Sequence, residues 1–343
     1  MQLNHTYTNA FEDVHTHVKE SANKLGASGG ALYMIQNDKV ITESYFGYQS
    51  EDPNARKVQG GTQFHIASVR KAYIGFAAAY AIYHGYFSIN DPIWHYVEDS
   101  HLSPYEGVTI RHLLTHTHGL QIVDGELVRN FHPGESWAYR GPSIDLLTSI
   151  IHKTTGQSVA EIVKEQVFDP VGFQSTEWIK MSQPHSKIAS TIRDTNNVYW
   201  TETDVVDGSG MNMYVSAREL ALWGYLHLKE GKWGDRQLVP REIIQLATSI
   251  QTPDPSLPIH KNGCLWFVKD TNYSFNQLGD GVPKGSYQLL GYTNVALLVI
   301  PDEDLVAVRM FNRYGSSEGF DYLEDIRSFG DMVYQCAAKT SAT

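Results

Sequence analysis

Ser68 stands three residues before Lys71, at a point where one sequence pattern gives way to another. Phe64 and Ile66 alternate with their neighbours as in an extended segment. Ala72-Tyr73-Ile74-Gly75-Phe76-Ala77-Ala78-Ala79-Tyr80 then reads as a helix with no charge after Lys71, so it is expected to be buried all round. A serine at the start of such a helix sits among free backbone N–H groups, at the positive end of the macrodipole, where developing negative charge is favoured. Lys71 lies one helical turn on, on the same face. Burial lowers the pKa of an amine, so the pair reads as a nucleophile with its base. The bland reading is a helix N-cap with Lys71 laying its stem along apolar surface. The spacing also occurs at Ser21-Ala22-Asn23-Lys24, a polar segment before Gly26 that reads as the end of a surface helix.

The rest of the chain must position these two side chains. Residues 5–24 read as an amphipathic helix with Phe11, Val14 and Val18 on one face, stopped by Gly26. Residues 29–35 and 40–48 read as an antiparallel hairpin around Asn37-Asp38-Lys39. After the Ser68 helix, Gly85 is a stop and Asp91-Pro92 a start. Residues 108–120 read as a short helix ended by Gly119, and 142–155 and 158–168 as further helices. Strand character returns from Ile188. Asp207-Gly208-Ser209-Gly210 is a flexible loop, either a binding loop or a plain connection. Ser216-Ala217-Arg218-Glu219 is a capping box opening a helix. Residues 264–268, 287–290, 295–300 and 305–311 read as strands, and 319–338 as a closing helix. The fold class is therefore α/β (α+β), an antiparallel sheet built from both chain ends and flanked by helices, with a mostly helical insertion. The expected division is 1–62 with 200–343 against 63–199, with the active site at their interface.

Composition sets the outer bounds. The chain has 343 residues, 42% hydrophobic and 19% charged, enough for a sizeable core. Its formal net charge of -11 argues against a nucleic-acid partner. No apolar run approaches the roughly 18 residues of a membrane span. The N-terminus lacks a basic region and an apolar stretch, so a cytoplasmic protein is expected unless the chain has been trimmed from a longer one. Cys264 and Cys336 read as core residues rather than a disulfide framework. His112, His116 and His118 lie close together, but the glutamate of a His-Glu-x-x-His zinc motif is missing, so no metal is expected.

Taken in order, the motifs resemble the β-lactamase and penicillin-binding-protein-like serine hydrolases, the group that holds class C β-lactamases, D-aminopeptidases, D,D-carboxypeptidases and related esterases. The resemblance rests on Phe64-x-Ile66-Ala67-Ser68-x-x-Lys71, Gly85 to Asp91-Pro92, and Thr109-Ile110-Arg111-His112-Leu113-Leu114-Thr115-His116-Thr117-x-Gly119-Leu120. Pro133-Gly134-x-x-Trp137-x-Tyr139 and Pro170-Val171-Gly172-Phe173 complete it. It implies Ser68 as the acylated nucleophile, Lys71 as its partner in proton transfer, and Tyr139 as the tyrosine of the family's Tyr-x-Asn motif. It also implies an oxyanion hole from the backbone N–H of Ser68 and one from an edge strand just before Val295. No cofactor is implied, and the expected partner is a small-molecule or peptide substrate.

Two positions depart from the family pattern. Gly141 stands where the second motif has asparagine, and Leu289-Leu290-Gly291 stands where the third has Lys or His, a small residue and Gly. Gly141, Leu289 and Gly291 are thus the expected substrate-binding positions, and Tyr292 the expected second oxyanion N–H. A slipped alignment would recruit Lys284 to the third motif instead. Without the asparagine and the cation, an uncharged ester or amide is favoured over a carboxylate-bearing β-lactam or peptide. The rival reading is a binding or sensor module that keeps the fold and has lost turnover.

Overall fold

The two-residue alternation of the apolar strands decides the architecture. Tyr33, Ile35, Leu297, Val299, Val306 and Val308 join one buried cluster, while Leu32, Met34, Leu298, Ile300, Leu305 and Ala307 join another. A sheet whose strands are apolar on both faces must be covered on both. The computed structural model describes residues 3–97, 103–193, 203–254, 256–270 and 276–341. In it, β1 (Asn4–His5), β2 (Gly29–Gln36), β3 (Lys39–Gly47), β4 (Phe267–Val268), β5 (Tyr287–Gly291), β6 (Val295–Ile300) and β7 (Leu305–Phe311) form one sheet. Their spatial order is β1-β3-β2-β7-β6-β5-β4. All neighbours are antiparallel except β1 on β3.

Helices α1 (Glu12–Leu25) and α5 (Tyr322–Ser341) cover one face through Val14, Val18, Phe329 and Val333. Helices α2 (Lys71–Tyr83), α3 (Pro142–Thr155) and α4 (Ala217–Leu228) belong to the cluster on the other face, which runs unbroken from the sheet into the helical middle of the chain. Gly224 lets α4 lie directly on the sheet. A Cβ there would come within 2.7 Å of the Leu297 side chain and 2.8 Å of Val306.

Several local expectations shift. The first helix begins at Glu12, because Asn4 and His5 pair with Lys39 and Val40 as an edge strand. The helix of the Thr109 motif spans only Ile110–Leu114, since His116 turns the chain at φ 57. Leu120–Val123 and Glu126–Arg129 then form a hairpin that the helical pattern did not announce. Near Ile188 there are isolated bridges, Gln63 to Ile188 and Ile192 to Arg313, rather than a strand. The expected strand over 264–268 narrows to Phe267–Val268. The expected division at 199/200 lies outside the described residues. Both cysteines are buried and free. Among the described residues, no helix is long and apolar enough to cross a membrane.

Candidate active site

A second, three-stranded sheet delivers the serine. Gln63–His65 pairs with Met213–Ser216, which pairs with Thr176–Trp178. The Ile66 N–H extends this pairing by donating to the Met213 carbonyl at 3.2 Å. Ala67 then adopts φ 46, a left-handed backbone that a residue with a Cβ rarely occupies. The reversal places Ser68 in a tight turn, Ala67–Arg70, that runs straight into α2. Within this turn the Val69 N–H donates to the Ile66 carbonyl at 3.0 Å, and the Lys71 N–H donates to the Ser68 carbonyl. Helix α2 is buried on every side from Lys71 to Ala79, as its composition predicts. Gly75 makes that possible: a Cβ there would sit 2.1 Å from the Cys264 carbonyl oxygen.

The structure brings Ser68, Lys71 and Tyr139 together. Lys71 Nζ and Ser68 Oγ share a hydrogen bond of 2.9 Å. The same amine lies 4.6 Å from the centroid of the Tyr139 ring. Burial holds the Lys71 pKa well below the ordinary lysine value, and the neighbouring Arg70 charge adds to this. Lys71 is therefore suited to be a neutral amine, which can accept a proton. Tyr139 is shifted the other way. Loss of solvent around its hydroxyl pushes the phenol up to about 12, although contact with Ser68 and the charge of Arg70 act in the opposite direction, and the residue as a whole stays exposed. At neutral pH it is a proton donor. Its ring is held between His116, at 4.7 Å, and Phe267, stacked at 6.5 Å. Trp137, two residues earlier, is fixed by donating its Nε1 proton to Asn262 at 2.9 Å.

A cavity of about 420 Å³ opens beside Ser68, lined among others by Arg70, Arg140, Gly141, Asp145 and Ser209. Gly141 sits at the start of α3, as the sequence places it. The 207–210 loop belongs to the cavity wall through Ser209 and Gly210.

The end of β5 packs against the turn that carries Ser68. A Cβ on Gly291 would come within 2.3 Å of the Ile66 carbonyl oxygen, so only glycine allows this approach. Thr293 donates to the His65 carbonyl at 2.6 Å. Asn294, at φ 61, donates to the Arg313 and Gly315 carbonyls at 3.0 and 2.8 Å. Tyr292 is thus held between two contacts to the segment that carries Ser68. Its own side chain is 48% exposed and meets Tyr314 edge-on. Leu289 points elsewhere. The pleat of β5 buries it in the main core, so its side chain packs and does not line the cavity. Lys284 pairs with Asp270 at 3.6 Å and lines a different cavity with His227 and Val268. It is not at Ser68.

His112 and His118 serve local structure. His112 Nδ1 accepts from the Thr109 N–H at 3.0 Å in a capping box, and His118 Nδ1 accepts from Leu120 N–H at 2.9 Å. Sequence reasoning missed Thr293 and Asn294. The available signal was a polar pair followed by an apolar strand, the composition of a turn with positive φ. It also missed Arg70, Arg140 and Asp145 as cavity residues.

Comparison with known proteins identifies the family and the fold. The family model described as Beta-lactamase matches residues 14–328. An uncharacterized protein of Alkalihalophilus pseudofirmus is 49% identical over 338 residues, 98% of this chain and 99% of that one. A penicillin-binding protein of Bacillus subtilis is 27% identical over 171 residues, 43% of this chain and 37% of its own length. Among solved structures, a penicillin-binding protein homologue from Caulobacter crescentus superposes with TM-score 0.74 at 15% identity, over 98% of this chain and 100% of that one. EstCE1, described as a hydrolase with promiscuous acyltransferase activity, superposes with TM-score 0.69 at 17% identity, over 94% and 98%. At these identities the structural matches establish the fold.

Proposed function

The chain belongs to the β-lactamase family, and from that premise we propose that it is a serine acyl hydrolase. It would cleave an amide, lactam or ester through an acyl-enzyme on Ser68, at a cleft between a 1–62/200–343 subdomain and a 63–199 subdomain. The observation that carries this reading is the 2.9 Å contact between Ser68 and a lysine whose pKa burial has lowered.

The neutral Lys71 amine takes the Ser68 proton as Oγ attacks the substrate carbonyl. The resulting ammonium lies over the Tyr139 ring, whose π face is attractive to a cation only once the proton has arrived. The tetrahedral oxyanion is held by the backbone N–H groups of Ser68 and Tyr292. Tyr139 gives its proton to the leaving group and is reprotonated from Lys71. Water then attacks the ester on Ser68 as Lys71 takes its proton, and Lys71 returns that proton to Ser68 Oγ as the acid departs, which restores the neutral amine. Neither Gly141 nor Leu289 is asked to take part, because acyl transfer needs a nucleophile, a base and oxyanion donors rather than the family's Asn and Lys.

The test is turnover of p-nitrophenyl butyrate and of a chromogenic cephalosporin by the wild type and by Ser68→Ala. The reading expects hydrolysis of at least one of them, reduced by about 10³-fold or more in Ser68→Ala. Wild-type protein that is folded and inert toward both, or a Ser68→Ala variant of undiminished activity, contradicts it. The inert outcome would support the binding module.

A further inference from the structure

Arg70 and Arg140 both line the Ser68 cavity, and one guanidinium nitrogen of each is sealed from solvent with no hydrogen-bond partner. Arg70 is 7% exposed, and its Nη1 is fully buried with no hydrogen-bond partner. The Nη1 of Arg140 is likewise buried and unpartnered. Both residues line the same cavity as Ser68. Asp145, half-buried on α3, is the one carboxylate among the described lining residues. Burial works against the charged form of Arg70 while Asp145 favours it, but Asp145 makes no hydrogen bond to either guanidinium. With Lys71 neutral, two positive groups oppose one negative group, in a chain whose Asp and Glu outnumber its Lys and Arg by 38 to 27. A guanidinium partly withdrawn from water is costly to keep charged, and an anion that meets the nitrogens left accessible in the cavity offsets that cost.

We propose that this cavity takes an acyl group carrying its own carboxylate, bound by Arg70 and Arg140, so that the preferred substrates are hemiesters or monoamides of short dicarboxylic acids. The proposal rests on the reading of Ser68 as the acylated nucleophile and names the substrate class of that site.

The carboxylate belongs on the acyl side for a geometric reason. Arg70 is recessed, whereas the Tyr139 ring is 42% exposed. The group that Tyr139 protonates leaves toward solvent along that ring. The acyl group stays bonded to Ser68 and occupies the recess. A planar guanidinium fork matches a carboxylate with two parallel hydrogen bonds, which fixes the substrate in orientation as well as binding it. The sequence expectation of an uncharged substrate followed from the missing cation at Leu289. The cations instead come from the turn of Ser68 itself and from the segment after Tyr139.

The experiment compares mono-p-nitrophenyl glutarate with p-nitrophenyl butyrate, which share a leaving group and differ in the acyl carboxylate. Labelling of Ser68 by a fluorophosphonate is followed in the same preparations. Wild type is expected to favour the glutarate hemiester by about tenfold or more in kcat/KM. That ratio should fall toward one in Arg140→Gln and in Arg70→Gln. If the buried Arg70→Gln variant does not fold, Arg140→Gln carries the test. A wild-type ratio of one or below, with Ser68 labelled, overturns the acyl-carboxylate pocket and leaves the hydrolase intact. A preference unchanged in both variants also overturns it. Failure of folded wild type to label at Ser68 overturns the hydrolase reading and this inference with it.

Discussion

Thr293 donates its hydroxyl proton to the His65 carbonyl at 2.6 Å, tying the turn after β5 to the strand that delivers Ser68. The two residues are far apart in sequence, and both are buried. Through this bond the backbone beside Thr293, at Tyr292, is tied to the segment that carries Ser68, the nucleophile of the proposed reaction. Thr293→Val keeps the shape and removes the donor. A lost hydrogen bond of this kind costs about 1 kcal/mol of stability. Removing an oxyanion donor costs about 10²–10³ in kcat. Thr293→Val should therefore lower kcat by about tenfold or more, measured by ester hydrolysis, while shifting Tm by only a few degrees. Equal loss of activity and fold would show that the bond is structural alone.

The acid–base assignments predict a pH profile. Lys71 must be neutral to act, and burial sets its pKa well below the ordinary lysine value. Activity should rise as pH climbs through that lowered pKa, reaching its plateau before an ordinary lysine would lose its proton. Tyr139 must hold its proton, and its pKa is pushed up to about 12, so the plateau should not decline until the pH approaches that value. The profile of kcat/KM for a neutral ester measures both limbs. A plateau reached only in the ordinary lysine range would contradict the role given to Lys71.

Gly75→Ala tests the packing of the helix that carries Lys71. The added Cβ would meet the Cys264 carbonyl oxygen at 2.1 Å, a backbone atom that cannot rotate away. Overpacking of this kind costs about 1–3 kcal/mol. Denaturant unfolding should show the midpoint lowered with an unchanged slope. A midpoint equal to wild type would mean that the chain at Cys264 yields easily.

What the sequence disclosed follows the range of the interactions involved. Ser68 and Lys71 are legible because helical spacing is local, and the burial of α2 is written in its own composition. Tyr139 entered through resemblance, since nothing in its neighbourhood points across 71 positions to Ser68. Counting back from Pro301 reaches Gly291, which ends β5 and approaches the Ile66 carbonyl. Leu289 was expected at the substrate, but a strand alternates its side chains, and the pleat turns this one into the core. Arg70 is not recognisable as a cavity residue from its own neighbourhood, because the cavity it lines is completed by α3 and by residues between Thr203 and Met211, both remote in the chain. The Leu120–Arg129 hairpin was hidden by its short strands and mixed polarity.

The central claim is that Ser68 is a live nucleophile. The most direct test is the intact mass of the protein after exposure to a fluorophosphonate and, separately, to a penicillin, with Ser68→Ala alongside. The account predicts a stoichiometric fluorophosphonate adduct on wild type, mapped to Ser68 and missing from Ser68→Ala. A penicillin adduct as well would place β-lactams among its acyl donors. Well-folded wild type that acquires no fluorophosphonate adduct, or a Ser68→Ala variant that acquires the same one, would contradict the account.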